Sequence, residues 1–175
     1  FRRVLFRSEA LLRWKNDRLG IVPPDKFIPI AEESEVILEI DKWVISEVCK
    51  VIRMLQDEGY NNITISANVS AKHFVNDDIL DLVLGCINKN NIDPKLLKIE
   101  ITESTLVKNV STVKRILERF KEIGIRTSMD DFGKGYSSLN ILTSLPIDEV
   151  KIDMELIKNI LNNNKKRKKI GRAHV

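Results

Sequence analysis

Short runs rich in isoleucine, valine and threonine alternate with longer stretches whose apolar residues recur every three or four positions, and this alternation leaves the chain few possible folds. Residues 62–69, 96–102, 125–131 and 149–153 read as strands, and 9–14 reads as the end of another. Ile37, Ile40, Val44, Val48, Ile52 and Leu55 put one apolar stripe on a helix from Val36 to Glu58, which Gly59 closes. Asp77 or Asp78 can cap a helix presenting Ile79, Val83, Cys86 and Ile87. Val113, Ile116, Leu117 and Phe120 mark a further helix that stops near Gly124. Shorter helices are expected at 26–33, 137–143 and 154–163, and residues 16–24 form a loop broken by Gly20, Pro23 and Pro24. Strands linked by helical crossovers make an α/β fold of five parallel strands with right-handed connections.

Composition narrows the class. Hydrophobic residues are 43% and charged residues 31% of the 175, as in ordinary globular domains. No apolar run approaches the roughly 20 residues that span a bilayer. Cys49 and Cys86 lie in apolar helical patterns and read as free thiols, without disulfide or zinc spacing. A net charge of +4 and a pI near 9.0 point toward nucleic acid, but the excess sits at the ends. Phe1–Ser8 and Lys169–Val175 read as translated sequencing adapter in opposite orientations, and so as non-native. Setting aside Arg2, Arg3, Arg7, Lys169 and Arg172 leaves the basic residues one fewer than the 25 acidic ones, and no DNA or RNA partner is expected. The domain is therefore taken as residues 9–168, incomplete at both ends, and cytoplasmic.

Chemistry enters where the strands end. Glu9, Asn68, Glu100 with Glu103, and Asp130 with Asp131 fall at or just after the C-terminal ends of four successive strands, and Lys151 lies on the fifth. In a parallel barrel those ends converge on the face that carries the active site. A single strand glutamate more often pairs with an arginine or faces water; Glu9 could pair with Arg13, and Glu103 could cap the next helix. Acids at matching ends of successive strands fit that bland account poorly. Buried carboxylates need a partner or a metal, and an all-oxygen set suits Mg²⁺ or Mn²⁺.

The motifs, in order, resemble one family. Glu9-Ala10-Leu11 with Leu12-Arg13-Trp14, Phe27-Ile28-Pro29-Ile30-Ala31-Glu32, Asn68-Val69-Ser70, Glu100-Ile101-Thr102-Glu103-Ser104, Asp130-Asp131-Phe132-Gly133-Lys134-Gly135-Tyr136 and Lys151-Ile152-Asp153 are similar to the EAL domain. Asp131-Phe132-Gly133 is also a kinase triplet, but no kinase phosphate loop or catalytic loop accompanies it. The resemblance implies a partial (β/α)₈ TIM-like barrel with about five of its strands present, and a phosphodiesterase that hydrolyses cyclic-di-GMP to linear pGpG with Mg²⁺ or Mn²⁺, Ca²⁺ being inhibitory. It implies Glu9, Asn68, Glu100, Asp130 and Asp131 as metal ligands, with Asp131 and Lys151 catalytic. Leu11 and Arg13 would touch the dinucleotide, and Glu32 and Glu103 would support the ligands. The loop of Phe132, Gly133, Lys134 and Gly135 would link the site to a homodimer interface; Lys134 stands where the family usually has Thr or Ala.

The same resemblance implies an upstream sensory or cyclase domain and a parent protein that could be membrane-tethered. It also implies a later Glu and Gln for which no residue here can be assigned, so the chain as written is expected to be unstable and inactive. An inactive EAL domain that senses cyclic-di-GMP, or serves as a protein-interaction module, is the alternative; the presence of Glu9, Asp130 and Asp131 disfavours it. His73 is expected on the surface or in helix packing, and Trp14, Trp43 and Tyr60 in the packing of barrel and helices.

Overall fold

The computed structural model describes residues 6–76, 78–108, 110–134 and 139–162. Gly135, the alternative cap Asp77 and the segments 1–5 and 163–175 lie outside them. A parallel sheet is built from β1 (Phe6–Ala10), β4 (Ile63–Asn68), β5 (Leu97–Thr102), β6 (Arg126–Phe132) and β7 (Glu149–Ile152), in that spatial order. Residues 9–14 are not one strand: β1 ends at Ala10, and Trp14–Asn16 (β2) pairs antiparallel with Gly20–Val22 (β3) as a separate ribbon. The ribbon turns where a plain loop was expected, because Asn16 Oδ1 accepts the Arg18 and Leu19 amides and Gly20 takes φ 71°.

Helices α1 (Pro24–Glu33), α2 (Val36–Asp57), α4 (Ile79–Asn90), α6 (Val110–Ile123) and α8 (Met154–Asn162) connect the strands, with short turns α3 (His73–Asn76), α5 (Ser104–Lys108) and α7 (Leu139–Thr143). Three of them stop in one way. Residues Gly59, Asn91 and Gly124 take positive φ, and the next amide reaches back five residues, as in Tyr60 to Leu55 and Ile125 to Phe120. Glycine and asparagine suit that left-handed position, so each helix ends where the sequence places one. Asp78 precedes α4, but its side chain makes no capping bond.

One sheet face meets the helices. Leu97, Ile99 and Ile101 are fully buried there with Ile45, Ile52, Ile116, Leu117 and Phe120. Each such side chain stabilises the fold by roughly 1.5–3 kcal/mol of transfer free energy. Cys49 lies in this layer, where burial pushes its thiol up to about 12 and makes it inert. Trp43 and Tyr60 are more than half exposed and Trp14 is 40% exposed, contrary to the packing role expected of them. Among the described residues the Trp14 ring has an aromatic neighbour, Phe27, edge-on at 5.6 Å.

Alternate residues face the other way and are polar. In-register pairs align Ser66, Lys98 and Arg126 in one row and Asn68, Glu100, Ser128 and Glu149 in the next. That face is concave. Outer strands of a flat five-stranded sheet would lie roughly 19 Å apart. Here Arg7 of β1 reaches Glu149 of β7 at 2.8 Å, and Lys151 of β7 reaches Glu9 of β1 at 3.3 Å. The sheet is thus curled into a half-barrel whose strand ends converge. Among the described residues no helix is long and apolar enough to cross a membrane.

Phe120 sits against strands and helices alike, fully buried. Phe120→Ala is expected to lower the unfolding free energy by about 3–5 kcal/mol, read from the urea midpoint at unchanged slope.

Candidate active site at the strand ends

Curling brings Glu9, Glu100 and Asp130 together from β1, β5 and β6. One carboxylate oxygen of each lies within 4.8 Å of the others. Asn68, on β4 between them, donates from Nδ2 to Glu9 Oε1 at 2.9 Å and so fixes that carboxylate. Lys151 enters from β7. Its ammonium bonds Glu100 Oε2, lies 3.3 Å from Glu9 Oε2 and 3.8 Å from Asp130 Oδ2. Burial works against that charge, but the Glu100, Asp130 and Glu9 carboxylates outweigh it and hold the Lys151 pKa above the ordinary lysine value. Lys151 therefore stays a cation throughout the neutral range. The Glu9–Arg13 pair that the bland account offered is not formed: Arg13 Nη1 donates to the Leu12 carbonyl at 2.8 Å.

Glu100 is the deepest of the three. Its side chain is wholly buried, and Oε1 has no hydrogen-bond partner among the described residues; the Lys98 ammonium stands 3.7 Å away and bonds Glu149 instead, at 3.1 Å. A buried carboxylate oxygen left in this way is costly. Three carboxylates share one close ammonium, so the cluster keeps negative charge. An all-oxygen set with an orphaned buried oxygen fits a hard divalent cation.

Asp131 does not join the cluster. Between Met129 and Phe132 the register against β7 slips by one residue, which marks a bulge at the paired aspartates. Asp131 takes φ 57° there, and its amide donates to Asp130 Oδ1 at 2.8 Å. Its carboxylate accepts from Lys134 at 2.7 Å, and Lys134 also lies 3.3 Å from Asp153. The hydrogen bond from Lys134 to Asp131, helped by Asp153, raises the lysine pKa. Phe132 ends β6 half-buried, and Gly133 follows at φ 104° with its amide donated to Glu103 Oε2 at 2.9 Å. Glu103 thus supports the loop after the aspartates.

Beside the cluster, Leu11, Leu12, Ile28, Glu32, Asn68 and Ser70 line a cavity of about 260 Å³. Leu11 is 58% exposed there, and Glu32 Oε1 accepts from the Ser70 hydroxyl at 3.5 Å. One residue escaped the sequence reading: Asp41 is buried on α2 and accepts the Ser70 amide at 2.8 Å. Of the two placements expected for His73, surface or helix packing, the structure has the second: it is fully buried, between Asp78 at 3.0 Å and Asp41 at 3.6 Å. A signal for Asp41 was present: an acid four residues after Ile37, within the apolar stripe of α2.

Fold and site together define a parallel α/β half-barrel with an acidic cluster around one lysine at its C-terminal strand ends. The EAL domain family model matches residues 2–173, and the chain belongs to that family. It is 40% identical over 158 residues to the signaling protein YkoW of Bacillus subtilis, covering 90% of this chain and 20% of that protein. It is 36% identical over 156 residues to the bifunctional diguanylate cyclase/cyclic di-GMP phosphodiesterase MucR of Pseudomonas aeruginosa, covering 89% and 23%. The solved MucR phosphodiesterase in complex with c-di-GMP superposes with a TM-score of 0.82, at 36% identity, over 91% of this chain and 64% of that one. The chain thus spans about a fifth to a quarter of these curated relatives.

Gly133 gives this region a direct test. A Cβ added there would stand 3.0 Å or less from Leu156 side-chain atoms, on a backbone that L-residues avoid. Gly133→Ala is expected to cost about 1–3 kcal/mol, read by denaturant unfolding.

Proposed function

We propose that the protein carrying this domain hydrolyses cyclic-di-GMP to linear pGpG with Mg²⁺ or Mn²⁺. The observation that carries the proposal is the meeting of Glu9, Glu100 and Asp130 within 4.8 Å around Lys151 at the strand ends. Glu9, Glu100, Asp130 and the Asn68 carbonyl oxygen would hold one ion, and Asp131 with Asp130 a second. Bound ions supply Lewis-acid polarisation of the scissile phosphate and a lower pKa for the attacking water.

The remaining work falls to side chains. Lys151, held as a cation by its three carboxylate neighbours, offsets negative charge that grows on the phosphoryl oxygens. Water adds to phosphorus, the bond to the 3′ oxygen breaks, and the 5′ phosphate stays on the linear dinucleotide. Asn68 keeps Glu9 turned toward the cluster through its 2.9 Å bond. Leu11 and Arg13 meet the dinucleotide in the neighbouring groove, and Glu32 and Glu103 steady the flanking loops. The loop from Phe132 through Lys134 would carry contact to a second subunit.

Three further proposals accompany this reading. The domain works in the cytoplasm, in a larger protein with sensory or cyclase domains. The 175-residue chain alone is inactive or nearly so, because among the described residues β1 and β7 each present an unpaired edge, with Ile152 and Met154 more than half exposed beside the latter. Residues 1–8 and 169–175 are non-native.

The test uses the full-length protein with cyclic-di-GMP, with product separated by chromatography. Mg²⁺ or Mn²⁺ should yield pGpG, and Ca²⁺ should allow binding without turnover. Binding without turnover in Mg²⁺ would instead identify a sensor. Lys151→Ala should lower kcat by about 10²–10³-fold; turnover within threefold of wild type would remove Lys151 from the chemistry.

A further inference from the structure

We propose that Glu149 is a positioning residue: it holds the buried Lys98 ammonium off Glu100 Oε1 and so leaves that oxygen open to a cation. The positioning role rests on the reading of Glu100 as a cation ligand; the restraint on Lys98 does not. Lys98 and Glu100 are two residues apart on β5 and share its concave face. The Lys98 side chain is 6% exposed, and that of Glu100 is wholly buried. Lys98 Nζ donates to Glu149 Oε2 of β7 at 3.1 Å. It stops 3.7 Å from Glu100 Oε1, which has no hydrogen-bond partner among the described residues. Glu100 Oε2 is already taken by Lys151.

Two carboxylates thus compete for one ammonium. Glu100 is the deeper of them, where attraction to a cation is less screened, yet the bond goes to Glu149, whose side chain is 33% exposed. Lys98 borders a cavity of about 220 Å³ with Thr64, Arg126, Asp148 and Glu149, so its ammonium has room to move. What holds it is the Glu149 carboxylate. Lys98 in return holds the Glu149 pKa below its ordinary value, against burial, so Glu149 is an anion throughout the neutral range. Arg7 donates to the same Glu149 oxygen at 2.8 Å. It is 52% exposed and belongs to the segment read as non-native, so the restraint is assigned to Glu149 and Lys98 alone.

Neutralising Glu149 changes the balance. A buried ammonium that has lost its carboxylate is costly, and Glu100 Oε1 stands roughly 1 Å beyond ordinary hydrogen-bond distance. Lys98 would take that oxygen. Glu100 would then carry an ammonium on each oxygen, and a cation would have to displace one of them. With Glu149 in place, only Lys151 is bonded to Glu100, and Lys98 lends its charge from outside bonding distance.

The test uses the full-length protein with Glu149→Gln, Lys98→Met and the two combined. In metal-free crystals of Glu149→Gln, Lys98 Nζ should lie within about 3.0 Å of Glu100 Oε1. Mn²⁺ affinity, measured by calorimetry, should fall about tenfold in Glu149→Gln. The fall should persist in about 0.5 M KCl, where the through-space effect of one lost anion is screened. In the double variant, which has no ammonium to release, affinity should return to within about threefold of wild type; an apolar replacement of a buried pair is commonly tolerated by the fold. Lys98→Met should bind Mn²⁺ at least as tightly as wild type, and a fall of about tenfold there would overturn the proposal even if Glu149→Gln does not fold. Lys98 staying off Glu100 in the Glu149→Gln crystals would overturn the restraint whatever the metal does. Lys98 on Glu100, with no Mn²⁺ bound by the wild type, would keep the restraint and reject the metal reading together with the positioning role. Lys98 on Glu100 with Mn²⁺ affinity unchanged from a wild type that binds it would reject the positioning role alone.

Discussion

Glu100 buries a carboxylate that the fold tolerates because Lys151 bonds it from two strands away, with the Lys98 ammonium 3.7 Å from its other oxygen. An ion taken out of water costs several kcal/mol even after relaxation, and removing one partner of such a pair is commonly worth 3–5 kcal/mol. Lys151 is itself 30% exposed, so solvent screening reduces its share of that figure. What the pair demands is placement. β6 must lie between β5 and β7, and β7 must present Lys151 rather than Val150 to the concave face. A one-residue slip would reverse that choice. The bulge in β6 fits this demand, because the extra residue is absorbed at the aspartates while Met129 stays opposite Val150 and Phe132 stays opposite Ile152.

Curvature follows from other causes. The ion pairs joining β1 to β7 are partly solvated, with Arg7 52% and Glu149 33% exposed, and pairs of that kind contribute up to about 1 kcal/mol. They register the curl more than they drive it. The driving term is the apolar layer of Leu97, Ile99 and Ile101 under α2, α4 and α6, together with the twist that packed strands carry. A wrapped outer layer leaves the inner face narrow. There Thr64, Ser66, Lys98 and Ser128 are buried as polar groups, and a site rich in charge can be assembled with little further exclusion of water.

Much of this was legible in the sequence. Four of the five strands, the long helix α2 and the ends of two helices declare themselves, because periodicity and the positive-φ preference of Gly59 and Gly124 are local properties. The convergence of Glu9, Asn68, Glu100, Asp130 and Lys151 was also readable, since parallel strands carry their ends to one side. Less legible were features set by contacts distant in the chain. The β2–β3 ribbon depends on a side-chain turn at Asn16. His73 could not be placed from its neighbours in sequence, because its partner Asp41 lies on another helix and reads there as one polar residue in an apolar stripe. Exposure of Trp43 and Tyr60 is equally a property of what lies opposite them, which no helical period records.

Adjacent aspartates at one strand end present a further constraint. Two carboxylates side by side repel, and in a regular strand they would point to opposite faces, one of them into the apolar layer. The bulge resolves both difficulties with one extra residue. Asp130 stays on the concave face with Lys151 at 3.8 Å. Asp131, turned at φ 57°, is carried into a second electrostatic setting with Lys134 and Asp153. Asp130 shares Lys151 with Glu9 and Glu100, Asp131 is bonded by Lys134, and the Asp131 amide is spent on Asp130 Oδ1. The loop beyond is then tied to the third strand end, since Gly133 donates to Glu103. Asp131 is thus joined, through two residues of backbone and the 2.9 Å bond from Gly133 to Glu103, to the end of the strand that carries Glu100.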